Sequence, residues 1–124
     1  MRLLFWKALF GLLAFDVLGL NLNFARLHHA VNRWPTAERP VEPGIVDRIC
    51  EAVNHACIWY PRRTLCLKRS VVTTCLLRSY GVRAQLVVGT QHLPFRAHAW
   101  VELGDLPINE RTDVRSAYAI CERC

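Results

Sequence analysis

Apolar residues in this chain recur at three- and four-residue steps as far as Gly81 and at two-residue steps beyond it. Leu20, Phe24, Leu27, Val31 and Trp34 form one helical stripe, closed by Pro35. Ile45, Ile49 and Val53 form another, in a segment running to Cys57. A third segment, Leu65 to Tyr80, has Thr64 as its N-cap and Gly81 as its stop. Leu67, Val71 and Cys75 give it a core face, and Cys66, Ser70, Thr73 and Thr74 lie on another side. After Gly81 the pattern changes. Arg83–Thr90 is rich in β-formers, Ala97–Leu103 alternates, and Leu106–Glu110 follows a Gly104-Asp105 turn. Helices gathered ahead of strands predict an α+β fold, with helices laid on a small antiparallel sheet. The tail from Arg111 is polar, then weakly helical.

A chain of 124 residues is one domain or at most two. Its 52% apolar and 21% charged residues exclude disordered and low-complexity classes. We divide it into an N-terminal helical segment, 1–42, and a core, 43–124, with a proline-marked loop at 36–44. The net charge of +6 favours an acidic or membrane-surface partner and requires no nucleic acid. Charge distribution says more. From Ala52 to Val101 there is no Asp or Glu, while Arg62, Arg63, Lys68, Arg69, Arg78, Arg83 and Arg96 fall inside that window. The late carboxylates are Glu102, Asp105, Glu110, Asp113 and Glu122.

Leu3–Leu20 is mostly apolar over 18 residues, the short edge of what spans a bilayer. Lys7 and Asp16 interrupt it, and no small-x-small cleavage site follows the minimal positive start Met1-Arg2. A buried or membrane-surface helix is expected, in a cytoplasmic protein. The six cysteines follow helix faces rather than a disulfide framework. Cys50 and Cys57 read as small buried hydrophobes, and His28 and His29, about 100° apart on a helix, as surface residues. Cys121-x-x-Cys124 is half a zinc site by spacing, which keeps a non-catalytic zinc-binding or adaptor module as an alternative.

Two residues could carry chemistry. Cys66 falls in the first turn of a helix, flanked by Arg62, Arg63, Lys68 and Arg69. A helix N-terminus and nearby cations both stabilise the thiolate, the reactive form of cysteine. His98 lies 32 residues later. In its strand Ala97, Ala99, Val101 and Leu103 make the apolar face, and His98, Trp100 and Glu102 share the other. His98 is thus expected to project where a helix carrying Cys66 docks. A cysteine–histidine pair needs a third group to orient the imidazole. Glu110, Asn109 and Asp105 are candidates. Glu102 is poorer, because its side chain lies about 6.5–7 Å along the same strand.

Three segments together resemble a known family. They are Cys66-Leu67-Lys68-Arg69-Ser70, Leu76 through Gly89, and Pro94-Phe95-Arg96-Ala97-His98-Ala99-Trp100-Val101-Glu102. They resemble the transglutaminase-like cysteine peptidases of lasso-peptide biosynthesis, and more narrowly the stand-alone leader peptidases of split systems. The resemblance implies a transglutaminase/papain-like core with a Cys-His-acid triad falling on Cys66, His98 and Glu110. The family's acid is normally Asp, so Glu110 is a departure. Arg69, Arg96 and Trp100, within these segments, are expected to contact substrate. The implied partners are a precursor peptide whose leader is removed, a small leader-recognition protein and a macrolactam-forming cyclase. No metal or other cofactor is implied. An acyl transferase with an amine in place of water would use the same triad.

Overall fold

The computed structural model describes residues 2–19, 24–60, 66–92, 95–104, 106–108 and 119–123; at 2, 18–19, 24–25, 66, 90–92, 95–97 and 119–123 it describes the backbone. Four helices come first: α1 (Arg2–Gly19), α2 (Phe24–Asn32), α3 (Ile45–Trp59) and α4 (Cys66–Ser79). Four strands follow: β1 (Ala84–His92), β2 (Phe95–Leu103), β3 (Leu106–Ile108) and β4 (Ala119–Arg123). The sheet order is β3-β2-β1-β4, every neighbouring pair antiparallel. This is the expected α+β arrangement.

The tail is the main departure among the elements. Ala119–Arg123 is a strand on the outer side of β1, not a helix. Five residues carry too little periodicity to choose between the two. Long-range pairing with Val87, Val88, Gly89 and Thr90 decides the conformation.

Helix α4 stands at the centre. It packs on α1, α3, β1 and β2. The side carrying Ser70, Thr73 and Thr74 is as buried as the core face. A helix can keep polar side chains on such buried faces only if each is bonded. Thr73 and Thr74 return their hydroxyls to the carbonyls of Arg69 and Ser70, both at 2.8 Å. Arg78 is buried too. It donates to the carbonyls of Ala84 (2.9 Å), Trp34 (3.3 Å) and Val31. One guanidinium therefore ties the end of α4 to β1, to α2 and to the segment after α2. Trp34, expected on the helical stripe, lies past the end of α2 with its side chain exposed.

Helix α3 buries Ile45, Ile49, Ala52, Val53 and Ala56, the face its spacing predicts plus two alanines that allow close approach. Helix α1 runs antiparallel to α4. Its Lys7 donates to the Tyr80 hydroxyl at 2.7 Å, and Gly11 lies against Val72, where an added Cβ would be 3.1 Å from a Val72 methyl. Leu4, Ala8 and Leu12 sit in the same core as α3 and α4. Its opposite face, Leu3, Trp6, Phe10, Leu13 and Val17, is exposed. Among the described residues no helix is long and apolar enough to cross a membrane.

The end of α4 is built as the sequence predicts. Gly81 has φ +87°, and Gly81 N–H and Val82 N–H bond back to the carbonyls of Arg78 and Leu77. A Cβ there would meet the Arg39 carbonyl at 2.6 Å, whereas one on Gly44 (φ +76°) would meet nothing. Gly44→Ala should cost about 1–2 kcal/mol from backbone conformation alone. Gly81→Ala adds a clash with backbone and should cost about 3 kcal/mol or more. Urea denaturation of the two variants measures the difference; equal losses would contradict the packing described for Gly81.

Candidate active site at the start of the central helix

Cys66 is the first residue of α4. One turn later, Ser70 donates its hydroxyl to the Ala99 carbonyl at 3.1 Å. Ala99 follows His98 in β2, so the first turns of the helix and the histidine strand are joined by a buried bond. The alternation in β2 is as expected. Ala99 clusters with Val71 and Leu86, and Val101 with Val72 and Leu77. Trp100 clusters with Val87 on the other face.

That distribution corrects one expectation. The body of α4 lies on the Ala99 face, so His98 does not project into the helix–sheet layer. A methyl side chain at Ala99 lets the helix come close enough for Ser70 to reach the strand backbone, which a larger residue would prevent.

The surroundings of His98 are ordered by its own strand. Its ring stacks on Trp100, centroids 5.9 Å apart and planes 27° apart. The Trp100 indole N–H donates to Glu102 Oε2 at 2.8 Å. Both Trp100 and Glu102 are fully closed to solvent. Trp100 was expected to contact substrate; its complete burial makes it instead a wall for the imidazole. Across the sheet, Gly89 is paired with His98. No side chain stands opposite the ring at that position. A glycine inside a β-rich run was the sequence signal for such a gap.

Electrostatics at the helix start also differ from the cation-only picture. Lys68 is buried and paired with Asp16 of α1 at 2.6 Å. Its charge is committed to that carboxylate, which the window from Ala52 to Val101 could not reveal. Arg69 is half-buried, and its charge opposes an upward shift of the Cys50 thiol caused by burial and by Asp47. Burial pushes the Cys75 thiol up to about 11, against a smaller lowering by Arg78. Neither thiol is activated. Glu110, Asn109 and Asp105, the Cys66 and Arg96 side chains, and those of Cys121 and Cys124 lie outside the described residues. Among the described residues, no three His, Cys, Asp or Glu side chains are grouped to hold a metal ion.

The pattern of the Transglutaminase-like superfamily matches residues 9–123. The chain belongs to this superfamily. A curated relative, the microcin J25-processing protein McjB of Escherichia coli, is 34% identical over 55 residues, 44% of this chain and 26% of the relative. The match thus spans about a quarter of that protein's length. No solved structure matches the chain. Helix α4 and strand β2, joined by the Ser70–Ala99 bond, both fall inside the matched range.

Two predictions follow from this site. Glu102→Gln keeps an acceptor for the indole and should leave stability within about 1 kcal/mol, whereas Glu102→Leu strands a buried N–H and should cost about 1–3 kcal/mol. Thermal melts separate them, and equal melting points would refute the bond's role. Cys75 gives a pH dependence. Its thiol is held protonated in the folded state, so its contribution is complete below the unfolded value near 9.0 and is lost as pH rises toward about 11. Denaturation at pH 8 and pH 11 should show a stability loss that Cys75→Ala reduces.

Proposed function

We propose that this transglutaminase-like protein is a cysteine peptidase that removes the leader from a ribosomally made lasso-peptide precursor. The reading is carried by the superfamily match over residues 9–123, together with the Ser70–Ala99 bond that fixes the start of α4 against the strand bearing His98. Because the imidazole lies on the face of β2 away from the body of α4, the reading has sulfur and imidazole meet at the leading end of the helix rather than in the helix–sheet layer. The relative's name describes processing of a microcin, which favours a peptide substrate.

In this mechanism His98 holds or takes the Cys66 proton. The thiolate attacks the carbonyl at the leader–core junction. Backbone N–H groups of the first turn of α4 have no intrahelical partner and receive the oxyanion. His98 returns the proton to the leaving core amine, and water hydrolyses the thioester on the leader. Glu110 orients His98. Strand β3, paired through Val101 and Ile108, runs toward the His98 end of β2, which supports an acid following it. Arg69 and Arg96 are assigned to substrate. Residues 43–124 carry the chemistry.

A separate leader-recognition protein delivers the precursor, and a cyclase closes the freed core. Within 1–42, the outer face of α1 is the contact assigned to that recognition protein. Trp6, Leu9, Phe10 and Leu13 line a cleft of about 730 Å³ there with Trp59 and Tyr60. Contact with a membrane surface in the cytoplasm would use this same face.

Incubation with a leader-bearing precursor and mass spectrometry tests the proposal. Cys66→Ala should abolish release of free leader while the fold persists. Glu110→Gln should lower kcat by about 10²-fold or more, the usual scale of acid–base assistance. A large loss at Asp105→Asn alone would move the acid to Asp105. Full activity of Cys66→Ala would refute the mechanism, and an amine adduct in place of free leader would make the enzyme an acyl transferase.

A further inference from the structure

Asp16 is the carboxylate that interrupts the apolar run of the N-terminal helix. In the folded chain it is nearly buried, with 15% of its side chain exposed against 7% for Lys68. One oxygen takes the Lys68 ammonium at 2.6 Å. The other accepts the Tyr60 hydroxyl. Lys68 Nζ also lies 4.9 Å from the centre of the Tyr60 ring, within cation–π range. Three elements thus meet at one carboxylate: α1, the residue that ends α3, and the first turn of α4.

Stability alone does not explain such a cluster. Two charges taken from water cost more than an apolar pair of the same volume, and replacing buried pairs by hydrophobes is often neutral or stabilising. What the cluster supplies is direction. It fixes the first turn of α4 relative to α1 by bonds of defined length. Lys7–Tyr80 and Gly11–Val72 register the later part of the same helix against the same neighbour. The first turn is the part whose N–H groups and leading cysteine the proposed reaction uses.

We propose that Asp16 is a positioning residue for this reaction, acting through Lys68 and Tyr60 on the turn of α4 that begins at Cys66. The inference rests on the peptidase reading above. It assigns the N-terminal helix a part in catalysis that neither its apolar pattern nor the β2 motif implies.

The test separates position from stability. Lys68→Arg keeps a cation for Asp16 and should retain kcat within about threefold, while Asp16→Asn and Lys68→Met should each lose about tenfold or more, since a displacement of about 1 Å can cost 10²-fold. KM for the leader-bearing precursor should stay within about twofold, because binding surfaces are not altered. The double variant Asp16→Leu, Lys68→Met guards against unfolding. It should retain the melting temperature to within a few degrees yet remain slow. Wild-type kcat in the double variant, or losses accounted for by the folded fraction, would overturn the role. Cys66→Ala, assayed beside these, keeps the two claims apart. Activity there sinks the active-site assignment. Inactivity there with a fully active double variant sinks only the role of Asp16.

Discussion

Burying most of α4, polar residues included, is the constraint from which the rest of the structure follows. A helix with that many neighbours must come from a chain that can supply them, and here α1, α3, β1 and β2 do so, leaving Cys75, Leu76 and Ser79 toward an open cleft. Burial then forces each polar side chain on α4 to find a partner. Ser70 finds the β2 backbone, Lys68 finds Asp16, and Arg78 finds three carbonyls. These bonds are directional where apolar contacts are not. They set where the helix begins relative to the histidine strand and where it ends relative to β1. The same feature that makes α4 costly to bury makes its ends well placed.

The elements were legible wherever period and punctuation agreed. α3 and α4 fall within two residues of their sequence bounds, and Gly81 sits at the helix stop that its type predicts. The alternation of Ala97–Leu103 sorted His98, Trp100 and Glu102 onto one face, as the structure has them. Tertiary pairing was not legible. β4 exists because β1 offers an open side, and five residues cannot announce that. Nor could spacing show that the Thr73–Thr74 side of α4 is buried. Short hydroxyls there bond to their own helix and then behave as small apolar groups toward a neighbour.

Of the candidate site, the positions were legible: local pattern puts Cys66 at a helix start and His98 on the Trp100–Glu102 face of its strand, as the structure has them. What surrounds them was not. Trp100 looked like a recognition residue because aromatics often are. It is instead fully buried, bonded to Glu102 and stacked on the His98 ring. Lys68 looked like part of a cationic field, and the carboxylate that answers it lies 52 residues earlier in the chain. A charge count along the sequence sees only neighbours in the chain, whereas the field at a buried site is set by neighbours in space.

Helix α1 brings these points together. Its inner face, with Leu4, Ala8 and Leu12, belongs to the shared core, and two of its charged residues, Lys7 and Asp16, reach opposite ends of α4. That leaves its outer face apolar and exposed at Leu3, Trp6, Phe10, Leu13 and Val17. Such a helix cannot slide along α4 without breaking a bond at one end or the other. Anything that docks on the outer face therefore presses on an element already registered against the start of α4. If the recognition protein binds there, its hold on α1 and the placement of Cys66 are mechanically linked through one carboxylate. Partner binding and turnover would then share a free-energy coupling even though the partner touches no reacting atom.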